Sequence, residues 1–169
     1  MAQRDVAPWI YILGGGLIAG TLDIAFACIY WAIEASVPAQ RIFQSVAAGL
    51  LGEASFRGGA ATAALGLGLH YFIATSMSLA FYLVAVRRPA LVRRPVTYGV
   101  VYGLLLYVIM NYIVVPLSAA GQGSRDPLWI ALGVAVHALL VGVTIALCAR
   151  RALQPIRSPA GLSPSRPGP

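Results

Sequence analysis

Four segments of this chain, at about residues 9–33, 60–86, 96–118 and 127–149, are apolar from end to end. Asp23 is the single Asp, Glu, Lys or Arg among them. Each is long enough to cross a bilayer, which takes about 20 residues. In hydrocarbon a spanning segment must satisfy its own backbone hydrogen bonds, so each is read as a helix. The expected fold is therefore an all-α membrane protein, a four-helix transmembrane bundle. The charged fraction agrees: 10%, against about 25% in an ordinary soluble domain. Mean hydropathy is +0.81.

The pieces between the spans differ in kind. Residues 34–59 carry Glu34, Pro38, Arg41, Glu53, Arg57 and Gly58-Gly59. Within them, at about 38–53, Ile42, Phe43, Val46, Leu50 and Leu51 share a helical face, and Gln40, Arg41, Gln44 and Ser45 lie off it. That spacing predicts a short amphipathic helix at the interface or capping the bundle. Arg87-Arg88 and Arg93-Arg94 bracket a tight Pro-containing loop, and residues 119–126 form a second short loop. Residues 1–151 read as a single membrane domain. Residues 152–169, rich in Pro, Ser and Gly, read as a disordered tail. Ala25-Phe26-Ala27 has the shape of a signal-peptidase site, but the apolar stretch exceeds a signal h-region and contains Asp23, so a retained span is expected. Trp9 and Tyr11 at one end of it, and Tyr30 and Trp31 at the other, are expected to form interfacial aromatic belts.

The net charge is +7, and every basic residue is Arg. No basic helix or aromatic-basic patch accompanies it, which argues against nucleic acid and leaves the lipid bilayer as the expected partner. Most arginines fall on the side of the N-terminus, the four-Arg loop and the tail. The positive-inside rule then places both termini in the cytoplasm of a multi-pass inner (plasma) membrane protein. Cys28 and Cys148 fall near opposite membrane faces, too far apart for a disulfide, and show no zinc-site spacing.

One short stretch occurs twice. Residues 64–70 read A-L-G-L-G-L-H and residues 131–137 read A-L-G-V-A-V-H, and these hold the two histidines of the chain. Gly16-x-x-x-Gly20 in the first span is matched by Gly99-x-x-x-Gly103 in the third. The chain is thus expected to be two parallel-related hairpins, the first with an inserted interfacial helix. Glycine pairs of this kind are where membrane helices approach closely. Homo-oligomerisation through the Gly16/Gly20 and Gly99/Gly103 faces is expected as well.

Asp23, His70, Asn111 and His137 lie about seven to ten residues from the same end of their segments, so at 1.5 Å per residue they share one depth. A buried charge or amide does not face lipid, and ionisable groups inside a membrane mark sites by default. Four readings follow. The first is proton- or ion-linked transport or sensing through this layer, with no cofactor. The second is a divalent metal held by Asp23, His70 and His137, with Asn111 orienting a ligand. The third is a bis-histidine haem on His70 and His137 serving electron transfer. The last is packing alone, in a structural or assembly subunit. No catalytic constellation is present, and Gly14-Gly15-Gly16 lacks the strand and spacing of a nucleotide fingerprint.

Gly16 to Asp23 (G-L-I-A-G-T-L-D), Arg41 to Gly52 (R-I-F-Q-S-V-A-A-G-L-L-G), Gly66 to His70, and Met110 to Ser118 (M-N-Y-I-V-V-P-L-S) resemble small four-span proteins of bacterial inner membranes. The resemblance implies the fold and the location, and carries no activity.

Overall fold

A computed structural model describes residues 7–121 and 123–154, and most of the expected tail lies outside them. Four apolar helices long enough to span a membrane are present: Pro8–Ala35, Gly59–Arg87, Pro95–Leu117 and Pro127–Leu153. No strand occurs among the described residues. The fourth helix runs on through Arg150 and Arg151, whose charges suit the negative end of its dipole. Large apolar side chains cover the outside, as at Leu17, Phe72, Leu117 and Leu139. An apolar surface that extensive fits lipid rather than water. These features make the chain an integral membrane protein.

Span one packs on spans two and four, and span three packs on span four. Small residues allow the approach. A Cβ on Gly16 would lie 2.5 Å from the Thr75 Cα, and Gly20 sits against Tyr71 and Ala74. Gly99 meets Val143 and Gly142, and Gly103 meets the backbone of His137 and Ala138. Each glycine pair therefore packs on the next span of its own hairpin, so the two hairpins are built alike. This corrects the expected route to self-association. All four glycines are buried within one chain, and neither face is left for a second copy.

Bonds between spans fix the register. Ser78 Oγ donates to the Ile12 carbonyl at 2.9 Å, and Tyr102 Oη to the Met77 carbonyl at 2.8 Å. The dry core of Ala19, Phe81, Ala85, Leu106, Val141, Ile145, Ala146 and Ala149 fills the half of the bundle nearer the four-arginine loop. The other half holds a cavity.

The interfacial helix, Ala39–Leu51, roofs that cavity. Ser36, in a left-handed conformation (φ 53°), ends span one, and Pro38 opens the new helix. Gly52 (φ 57°, ψ −148°) then turns the chain in a region open essentially to glycine alone. The helix reaches from span two, where the Phe43 carbonyl packs on Gly66, to the end of span three, where the Ala119 N–H donates to the Gly49 carbonyl at 3.1 Å. The expected short helix is present and buries Ile42, but its covered face is not the one expected throughout. Gln44 is buried and donates through Nε2 to the Gly59 carbonyl (3.0 Å) and Thr62 Oγ1 (3.3 Å), whereas Leu50 and Leu51 are exposed. Contact with span two, which periodicity does not encode, decides which face is covered.

Span four begins at Pro127 behind a cap that composition alone does not reveal. Asp126 Oδ1 accepts from the Leu128 N–H (2.7 Å) and the Trp129 N–H (3.0 Å), satisfying two otherwise open helix donors. The Trp129 amide foremost, and the Leu128 amide with it, hold the Asp126 carboxyl below its ordinary range. A carboxyl lowered by folding adds stability above its unfolded pKa and loses it as pH falls through the folded value. Thermal melts between about pH 7 and pH 3 should therefore show an acid-side loss of stability that is smaller in Asp126→Ala. Identical acid slopes for the two proteins would refute the cap's contribution.

Candidate functional site

The half of the bundle under the interfacial helix holds a partly open cavity of about 680 Å³. All four spans and the interfacial segment line it. Asp23, His70, Asn111 and His137 all reach its wall. They are not equivalent there.

Asp23 stands one turn beyond Gly20 on the small-residue face of span one. Its Oδ1 lies 3.6 Å from His137 Nδ1, a charge-pairing distance too long for a direct hydrogen bond. The side chains are 26% and 17% exposed, respectively, so the pair is partly desolvated and still open to the cavity. His137 Nδ1 is also 3.0 Å from the Gly133 carbonyl. A carbonyl only accepts, so Nδ1 carries the hydrogen and neutral His137 has its lone pair on Nε2. The Tyr107 ring meets the imidazole edge-on, with centroids 5.4 Å apart at 85°.

His70 is held across the helix interface. Its Nε2 donates to the Gly20 carbonyl at 2.8 Å, three residues before Asp23. Asn111 turns back on its own helix, donating through Nδ2 to the Tyr107 carbonyl at 3.0 Å. The structure thus brings Asp23 and His137 together and sets His70 and Asn111 elsewhere on the same wall.

Two of these residues sit in π-helical turns, Met110–Val114 and His137–Gly142. Such turns are rare and frequent at functional sites. In both, a polar side chain donates to the carbonyl four residues earlier. The first turn has a visible cause: Pro116 has no N–H, so the Tyr112 carbonyl lacks its α-helical donor. The second lies where Gly142 packs on Gly99 and Gly103, a contact no local pattern announces.

Sequence reasoning missed much of the rest of the lining. Trp31 was read as a span-end aromatic and Trp129 was not singled out, but both line the cavity, with Phe26 stacked on Trp129 at 5.4 Å and 8°. This corrects the belt expectation at that end of span one, where Tyr30 is also buried. Arg41 and Glu53 join the wall from the interfacial segment, with the Arg41 guanidinium 4.4 Å from the centre of the Phe56 ring.

Neither alternative cofactor fits these side chains. Among the described residues, no group of three or more His, Cys, Asp or Glu side chains is placed to hold a metal ion. Asp23, His70 and His137 therefore do not supply the expected ligand set. For haem, His70 has spent its Nε2 on Gly20. That leaves Nδ1, the nitrogen nearer its own backbone. No family model, curated protein or solved structure matches this chain.

Proposed function

We propose that this is a bacterial inner-membrane protein that moves or senses protons, linked to a solute, through Asp23 and His137, with His70 and Asn111 in support. The observation that carries the reading is the Asp23–His137 pair, side by side on the wall of an intramembrane cavity. Imidazoles exchange protons in the physiological range, and ionisable groups at this depth mark proton and solute paths. The chemistry is direct. His137 takes a proton on Nε2 from the cavity and releases the one on Nδ1 toward Asp23; loss of the proton on Nε2 and uptake of another on Nδ1 then restore the starting tautomer.

Arginine placement supports both termini being cytoplasmic. Arg87, Arg88, Arg93, Arg94, Arg150 and Arg151 lie at one end of the bundle, and Arg41, Arg57 and Arg125 at the other. In that topology the cavity occupies the external half.

Reconstitution into liposomes containing a pH-sensitive dye tests the relay. Wild-type protein should dissipate an imposed pH gradient, His137→Gln should approach the protein-free rate, and His70→Gln should lose less. If His137→Gln conducts like wild type but melts earlier, the histidine only packs and the reading fails.

A further inference from the structure

The cavity is larger than a proton path needs. About 680 Å³ falls within the roughly 300–1,000 Å³ of small-molecule sites. Its wall carries two carboxylates, Asp23 and Glu53, against one guanidinium, Arg41. Carboxylates thus outnumber guanidinium groups on it by two to one. The remainder is dominated by apolar and aromatic groups. Phe26, one turn from Asp23, lies against Trp129, and Trp31 and Tyr107 complete an aromatic side. Met77 and Met110 add polarisable, adaptable thioethers. Arg41 already shows a cation resting on an aromatic face in this cavity.

The geometry points to a lipophilic organic monocation as the occupant of this cavity, with Asp23 as its counter-ion and the aromatic side receiving its apolar body. An anion would meet uncompensated negative charge. A neutral apolar solute would take water from the Asp23 carboxylate and leave it only His137, 3.6 Å away and beyond direct hydrogen-bond reach, which is costly. A single positive charge on a hydrophobic frame answers both.

Acid should expel such a ligand. The titratable, charged and amide groups that line the cavity with Asp23 are His137 from span four, His70 from span two, Tyr107 and Asn111 from span three, and Arg41 and Glu53 from the interfacial segment. Protonating either carboxylate removes attraction, and protonating either imidazole adds repulsion. Every titration acts in one direction, so cation and protons exclude each other. Joined to the relay above, on which this last step rests, the solute would be exchanged for protons.

The test is equilibrium binding of tetraphenylphosphonium to the full chain in mild detergent, by calorimetry with empty micelles subtracted. Tetraphenylborate serves as an anion of the same shape. The phosphonium should bind saturably, and the borate at least about tenfold more weakly. Asp23→Asn should weaken phosphonium binding about thirtyfold or more, while Asp23→Glu retains it. Acidification from about pH 8 to pH 5.5 should weaken it too. Equal binding of the two ions, no saturable phosphonium binding, or an unchanged affinity in folded Asp23→Asn would overturn the assignment. The borate comparison needs only wild-type protein, so it stands even if a variant fails to fold. Binding without proton flux would sink the relay and leave the cation site; flux without binding would do the reverse.

Discussion

Replacing Gly103 with leucine should abolish the folded bundle. A Cβ at this position meets the His137 carbonyl and the Ala138 Cα, which are backbone atoms of the facing helix and cannot swing aside. Spans three and four would have to part, opening the core around Leu106, Val141 and Ile145. Overpacking a well-filled core costs about 1–3 kcal/mol, and here the obstacle is a whole helix, so the cost should reach or exceed the upper figure. In mild detergent, Gly103→Leu should lose its monodisperse size-exclusion peak and its cooperative melt. The contrast is Gly68, which has nothing within 4 Å of an added Cβ. Gly68→Ala should raise stability by up to about 1 kcal/mol, the difference in helix propensity. The second copy of the repeat already carries Ala135 at the matching position. A folded Gly103→Leu, or a Gly68→Ala that melts earlier, would mean that the packing of the hairpins is misassigned.

These two glycines show what could be read from sequence and what could not. Length and hydropathy are properties of a segment, and the bilayer acts on segments, so the four spans were legible to within a few residues at their ends. Depth is also a count along one helix, and Asp23, His70, Asn111 and His137, grouped on that count, all line one cavity. Azimuth against a neighbour is different. Gly66 and Gly68 stand in the same heptapeptide, yet Gly66 packs under the Phe43 carbonyl and Gly68 has open space beside it. Nothing local separates them. Gln44 shows the same limit: it looks like the polar face of an amphipathic helix until span two supplies Gly59 and Thr62 as partners. The glycine pairs were rightly read as contact faces but assigned in part to a second copy, because a small-xxx-small motif names a contact without naming the partner. The pairing of Asp23 with His137 rather than His70 was hidden for a related reason. The π turn at His137 reorients a side chain whose counterpart in the repeat, His70, bonds across to Gly20 instead.

Asp23→Asn should separate function from packing most sharply, because the two roles predict opposite signs. A carboxylate near mid-membrane opposes folding by about 2.5–3.5 kcal/mol on insertion scales, and proximity to His137 recovers only part of that. Asparagine has almost the same shape and no charge. If Asp23 is kept for proton exchange, Asp23→Asn should melt at a higher temperature than wild type while proton flux falls by about 100-fold, the lower range for losing a positioned proton-transfer group. If Asp23 serves only to hold span one against span four, its loss should lower the melting temperature and leave flux untouched. Stability gained with activity lost is the usual mark of a residue retained for function at a cost to the fold. Asp23→Glu sharpens the comparison further. It keeps the proton-exchanging group but lengthens the side chain by one methylene on a wall where Oδ1 and Nδ1 stand 3.6 Å apart. Flux should then fall less than in Asp23→Asn, with a shifted pH dependence, because the distance between carboxylate and imidazole has changed and the chemistry has not.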